Sequence, residues 1–250
     1  MTQGPARTLI RLTGADRVAF LQGLVTNDVT RAPCWAALLT PQGKYLADFL
    51  IVPDGPDALL VDVDRGLAED LMRRLSMYRL RSDVALQIED LRLACGTGPA
   101  PEGAIADPRH PDLGWRLYRA DAAIPADDGT DWDAIRVAHV IPQTGIELIP
   151  NETFILEAGF ERLHGVDFRK GCYVGQEVTA RMKHKTELRK GLTVLAIDGA
   201  APPGTPIIAA DGREVGSVFT QSGGRAIAHV RFDRVGPDMR AGEARLHPAP

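Results

Sequence analysis

From Leu188 onward the chain is broken at short intervals by glycine-bearing turns, at Asp198-Gly199, Asp211-Gly212 and Ser222-Gly223-Gly224. An Asp-Gly step supplies the positive-φ positions of a tight hairpin, so these breaks mark the ends of short strands. Short strands separated by such turns are stable once the sheet closes on itself and leaves no exposed edge. Residues 187–250 are therefore expected to form a small β-barrel.

The first ninety residues have another texture. Residues 7–12 read as a strand, and Thr13 to Asp16 matches the capping-box spacing ahead of Val18, Leu21, Leu24 and Val25. "WAALLT" and "KYLADFLIV", joined by "PQG", read as two strands across a tight turn, and "ALLVDV" as a third. Leu67, Leu71 and Leu75 mark one face of a helix ending near Leu80. The pattern is α+β with antiparallel pairs. Between 97 and 130 the segments "TGPAPEGAIADPRHPD" and "ADAAIPADDGT" are loop-like, with the short strand "GWRLYR" between them, and a helix follows over 130–140.

Charge narrows the function. Lys+Arg 29 against Asp+Glu 33 gives a net charge of −4, with no general pull toward nucleic acid or a membrane surface. The N-terminal "MTQGPARTLI" lacks an apolar signal region, and no run of 18 apolar residues occurs. The three cysteines, at 34, 95 and 172, are odd in number and widely spaced, which fits a reducing cytoplasm. With no Cys-x-x-Cys or His-x-x-x-His pair, a self-sufficient zinc or iron–sulfur site is not expected. Cys34 and Cys95 read as small buried hydrophobes.

The densest chemistry is "RKGCYVGQE", residues 169–177. Cys172 follows Arg169 and Lys170 and precedes a helix expected near Gly175, with Glu177 and Arg181 at i, i+4. Adjacent cations and a helix N-terminus favour thiolate over thiol. Gly171 and Gly175 bracket the cysteine and allow close approach or positive φ. A structural cysteine at a strand–helix turn is the alternative. Asp48 alternates onto the strand face of Leu46 and Leu50, which places a carboxylate on an apolar surface and calls for a ligand, a cation or a retained proton. An edge strand with that face partly wet is the other reading. Arg136, Glu147 and Glu152 lie among Pro- and Gly-rich turns. A carboxylate there can pair with a 2-amino-pyrimidinone edge and an arginine with an anionic tail, or all three are solvated loop charges. The basic run from Arg181 to Lys190 is either a phosphate contact or a solvated helix end.

"KGCYVGQE" resembles the signature of the YgfZ-type folate-binding proteins, iron–sulfur cluster assembly factors with mitochondrial relatives. "FLQGLVTNDV" and "LLTPQGKYLADFLIV" resemble segments shared with the T-protein of the glycine cleavage system, and "QTGIELIPNE" the stretch before the signature. The resemblance covers residues 7–190. It implies an aminomethyltransferase (T-protein)-like fold, with a folate-binding region over 1–186 made of interleaved sub-domains near 1–90 and 91–186, and the barrel over 187–250. It further implies a tetrahydrofolate pocket, with Asn27, Asp28, Tyr45, Asp48, Arg136, Glu147, Tyr173, Gln176 and Glu177 as its contacts. Cys172 and Lys170 become the expected catalytic pair.

The implied role is maturation of iron–sulfur enzymes, tRNA-modifying radical enzymes among them, in company with cluster-assembly proteins and through a transiently shared cluster. Membranes are not expected as partners, nor nucleic acid by direct binding. T-proteins carry two successive aspartates where this chain has Ala47-Asp48, and they lack the signature cysteine. An accessory factor is therefore expected ahead of a folate-dependent aminomethyl- or methyltransferase. A tRNA-contacting protein using the 181–190 run is a third reading.

Overall fold

In a computed structural model that describes residues 6–120, 129–184 and 187–249, the N-terminal alternation becomes one antiparallel sheet. It holds β1 (Arg7–Thr13), β2 (Cys34–Leu39), β3 (Tyr45–Asp54), β4 (Ala58–Asp64) and β5 (Ala85–Glu89), in the order β2-β3-β4-β1-β5. Helices α1 (Arg17–Gln22) and α2 (Arg65–Arg79) connect them. Every residue of β3 from Tyr45 to Val52 is buried, because both faces of this interior strand are covered. Ile10, Leu38, Phe49, Ile51 and Val61 pack with Ala68, Leu71 and Leu75 of α2 into one core.

Two sequence expectations change here. Thr13 ends β1, and Asp16 caps α1 without a side-chain hydrogen bond to the helix. The Asp16 carboxylate instead accepts from Asp83 N at 2.8 Å, while that of Asp83 accepts from Ala15 N at 3.1 Å. A capping pattern read along the chain does not register a competing N–H donor 67 residues away. Strand β5 and its successor β6 (Arg92–Gly96) were not foreseen; β6 joins β7 (Ile105–Ala106) and the expected β8 (Trp115–Arg119) in a small sheet ordered β6-β8-β7. The part of the expected loop at 121–128 lies outside the described residues.

A buried charge network ties β8 to β4. Asp62 is fully buried and receives Arg7 Nε at 2.6 Å, Arg116 Nη1 at 2.7 Å and the Tyr118 hydroxyl at 2.9 Å. Arg116 Nε also reaches Asp107 at 2.8 Å, and Asp107 holds Arg109 through both carboxylate oxygens. The arginines hold both carboxyls below the usual range against the opposing pull of burial.

The C-terminal turns produce the expected closure. After α3 (Trp132–His139) and α4 (Gln176–His184), strands β9 (Lys190–Asp198), β10 (Pro206–Ala209), β11 (Glu214–Ser222), β12 (Arg225–Arg231), β13 (Met239–Ala241) and β14 (Ala244–Pro248) form a barrel ordered β10-β11-β12-β9-β14-β13. Ile207, Val218, Ala228, Val230 and Leu246 fill its interior. Two of the three expected turns close hairpins; Asp198-Gly199 instead ends β9, whose neighbours are β12 and β14. The chain divides into two units, Met1–Thr130 with Glu161–Gln176, and Asp131–Phe160 with Glu177–Pro250.

Candidate functional site

The signature loop alternates between anchored and presented residues. Lys170 and Tyr173 are buried, whereas Phe168, Arg169, Gly171 and Cys172 are exposed. Lys170 Nζ donates to Gln22 O at 2.8 Å and Val25 O at 2.5 Å, carbonyls at and beyond the end of α1. It also lies 5.1 Å from the centre of the Tyr173 ring. Burial lowers its pKa to about 8, with Asp28, Cys34 and Asp167 pulling the other way. Its ammonium thus caps the last carbonyl of α1, which has no partner within the helix, and ties it to the Val25 carbonyl just beyond. In this structure the Lys170 ammonium is engaged in pinning the loop that presents Cys172.

Beyond the cysteine the chain turns tightly, with Gln176 N donating to Tyr173 O at 3.2 Å and Tyr173 N to Gln176 Oε1 at 3.3 Å. Gly175 has φ of 84°, and a Cβ there would stand 2.6 Å from Thr40 O and 2.9 Å from Leu39 Cβ. The loop is seated directly on the end of β2. Gly171 has open space around it, so only one of the two bracketing glycines is sterically required.

Asn27 and Asp28 build the frame beneath this loop. Asn27 Nδ2 donates to Trp35 O at 2.7 Å and His164 O at 2.6 Å, and Thr26 Oγ1 donates to Gly165 O at 2.7 Å. Asp28 accepts from Thr30 N, Thr30 Oγ1 and Gln22 Nε2 at 3.0, 2.7 and 3.0 Å. The Thr30 hydroxyl, first among these, holds its carboxyl below the usual range. These side chains are occupied in joining the segment before the signature to β2 and α1.

Asp48 is 5% exposed, on an interior strand rather than a wet edge. Its Oδ2 accepts from Trp35 Nε1 and its Oδ1 from the buried Tyr45 hydroxyl, each at 2.8 Å. Both of these donors are neutral. Trp35 escaped sequence reading, although the β2–β3 register sets Ala37 opposite Asp48 and so puts Trp35 diagonally across on the same face.

Arg136 and Glu147 form a separate, closed group. Arg136 Nη2 meets Glu147 Oε2 at 2.6 Å, and that oxygen also accepts from Gln143 N at 2.9 Å. Oε1 accepts from Thr220 N at 3.2 Å and Thr220 Oγ1 at 2.5 Å. With four protein donors Glu147 is saturated, and Arg136 further serves Ile141 O, Asp133 and Thr220. The pair fastens α3 to β11. Glu152 is exposed, as is Glu177, which pairs with Arg181 at 2.7 Å on the surface of α4. Lys185, in the basic run, lies outside the described residues. Cys34 is buried, which pushes its thiol up to about 12, and burial raises Cys95 as well.

The fold defines the class. The glycine cleavage system aminomethyltransferase T of Bartonella henselae superimposes with a TM-score of 0.71 at 12% identity, over 98% of this chain and 83% of that one. This is the T-protein-like architecture, and residues 189–250 match the family described as "CAF17, C-terminal beta-barrel domain". The human mitochondrial iron-sulfur cluster assembly factor IBA57 is 30% identical over 95% of this chain and 79% of its own length. The chain belongs to the IBA57 family.

A Phaeosphaeria nodorum homologue is 33% identical, and the chain spans 58% of its length; a Mycosarcoma maydis homologue is 31% identical, again with 58% spanned. These relatives are mitochondrial, which overturns the expectation of a cytoplasmic protein. Sparse, unpaired cysteines fit any reducing compartment and do not single out the cytoplasm. No helix among the described residues is long and apolar enough to cross a membrane.

Proposed function

We propose that this chain is an iron–sulfur cluster assembly factor in which Cys172 touches the cluster, or a partner thiol that delivers it. The observation that carries the reading is the exposed Cys172 on a loop whose flanking Lys170 and Tyr173 are buried and bonded. One thiolate supplies one of the four ligands a [4Fe–4S] cluster normally needs. The remaining thiolates then come from an assembly protein or client enzyme, including radical enzymes that modify tRNA. Family membership and the YgfZ-like signature support this role. The test is complementation of a strain lacking the factor: Cys172→Ala keeps the wild-type melting temperature and loses support for cluster enzymes. Full activity from that variant would remove Cys172 from the mechanism.

The fold also supports a folate site, and the residues fit it in part. Asp48, a buried carboxylate with neutral donors, suits a pterin edge, while the saturated Glu147 does not. Tetrahydrofolate, when bound, brings amine nitrogens that carry one-carbon units; with Ala47 in place of a second carboxylate, transfer chemistry is the less supported use of such a site. Calorimetry is expected to give micromolar binding of tetrahydrofolate, weakened at least tenfold by Asp48→Asn. Absence of heat with every folate form tested would reject the site.

A further inference from the structure

Ser217 of β11 and His229 of β12 line an open hollow of about 370 Å³ on the barrel, with Lys190, Arg231 and Arg234 around them. The β11–β12 register sets the two residues directly opposite each other, so they share one face of the sheet. Opposed residues of an antiparallel pair have Cβ atoms about 4.5–5.5 Å apart, which brings a serine hydroxyl within reach of an imidazole. The strands run close here: a Cβ on Gly216, beside Ser217, would stand 1.9 Å from His229 O.

On its other side His229 meets an acid. It lies opposite Leu192 of β9, and Leu192 N donates to Glu157 O at 2.7 Å, which fastens the Glu157 segment to that strand. The Glu157 side chain is 11% exposed, and its Oε2 lies 3.2 Å from His229 Nε2 and 3.4 Å from Lys190 Nζ. A carboxylate accepts, so Nε2 carries the proton and Nδ1 is left as the basic nitrogen. Nδ1 is the nitrogen nearer the backbone, within range of a side chain as short as serine. Neither Nδ1 nor the Ser217 hydroxyl has a hydrogen-bond partner among the described residues. The two nitrogens are used in the reverse of the order found in Ser-His-Asp hydrolases, and either can take a hydroxyl proton.

We propose that Glu157, His229 and Ser217 form a hydrolytic site for small uncharged carboxylic esters, separate from the role of Cys172. The Ser217 oxygen bonds to the ester carbonyl carbon as its proton passes to His229 Nδ1. The bond from that carbon to the alcohol oxygen then breaks, and the alcohol leaves with the proton. Water repeats the two transfers, releasing the carboxylic acid and restoring Ser217. Arg234, held through Nη1 on Glu214 O at 2.7 Å, keeps guanidinium N–H groups for the carbonyl oxygen. Lys190, Arg231 and Arg234 are matched in number by Glu157, Asp233 and Glu214, so no excess charge selects an ionic substrate.

The test is turnover of p-nitrophenyl acetate, with the exposed Cys172 thiol first blocked by iodoacetamide. Labelling with an alkyl fluorophosphonate, located by mass spectrometry, accompanies it. Turnover is expected, with the label on Ser217. Ser217→Ala and His229→Gln each lower kcat/KM at least about a hundredfold, and Glu157→Gln at least about tenfold. Ser222→Ala, at a serine further along β11, keeps the parental rate. No turnover, a label elsewhere, or full activity in Ser217→Ala overturns the proposal. So does a loss confined to His229→Gln, which would make the imidazole itself the nucleophile.

Discussion

Replacing Arg116 with methionine is expected to lower the unfolding free energy by about 3–5 kcal/mol, the usual cost of removing one member of a buried ion group. Arg116 is the member shared by the two carboxylates, reaching Asp62 at 2.7 Å and Asp107 at 2.8 Å. Without it Asp62 keeps Arg7 and Tyr118, and Asp107 keeps Arg109. Each is then a buried charge with fewer partners than its desolvation requires. The same network sets an acid limit. Asp62 and Asp107 have folded pKa values below their ordinary 3.8. Their contribution is therefore fully present above that value and is lost as pH falls below it toward the folded pKa. In Arg116→Met both carboxyls rise, so the midpoint of acid unfolding moves upward. Denaturant melts of the two proteins between neutral pH and pH of about 2 measure both effects. Coincident acid midpoints would show that the network does not carry this linkage.

Gly175→Ala is expected to cost about 2–4 kcal/mol, within the range of severe single substitutions. The backbone at φ 84° is strained for any residue with a Cβ, and that Cβ would sit 2.6 Å from Thr40 O. The Thr40 oxygen belongs to the backbone at the end of β2, so relief comes from lifting the signature loop rather than from rotating a side chain. Lifting it moves Cys172, and support for cluster enzymes should fall further than the stability loss alone explains. Gly171→Ala, with open space at its Cβ, is the control and should stay within about 0.5 kcal/mol of the parent. Equal stability and equal activity of the two variants would show that the loop is not held by this contact.

Much of the architecture was legible because it rests on short-range pattern. The β2–β3 hairpin, the apolar face of α2, the strand β8 and the barrel all follow from periods of two or 3.6 residues and from Gly-containing turns. β5 was missed because an edge strand left largely in water carries little apolar alternation; its burial is mostly exposed or intermediate. The signature identified Cys172 as the residue to watch, and the structure leaves that side chain exposed.

The sequence by itself determined the α+β architecture, the closing barrel and the presence of one unusual cysteine, since each is written in residues that are neighbours along the chain. Tertiary structure decided what the polar side chains do. Lys170 spends its ammonium on carbonyls as far as 148 residues away, and Glu147 is closed by Thr220 at a separation of 73. Asp48 is held by an indole from the adjacent strand. A buried charge must be satisfied by whatever donor folding brings to it, and that donor leaves no mark in the local sequence.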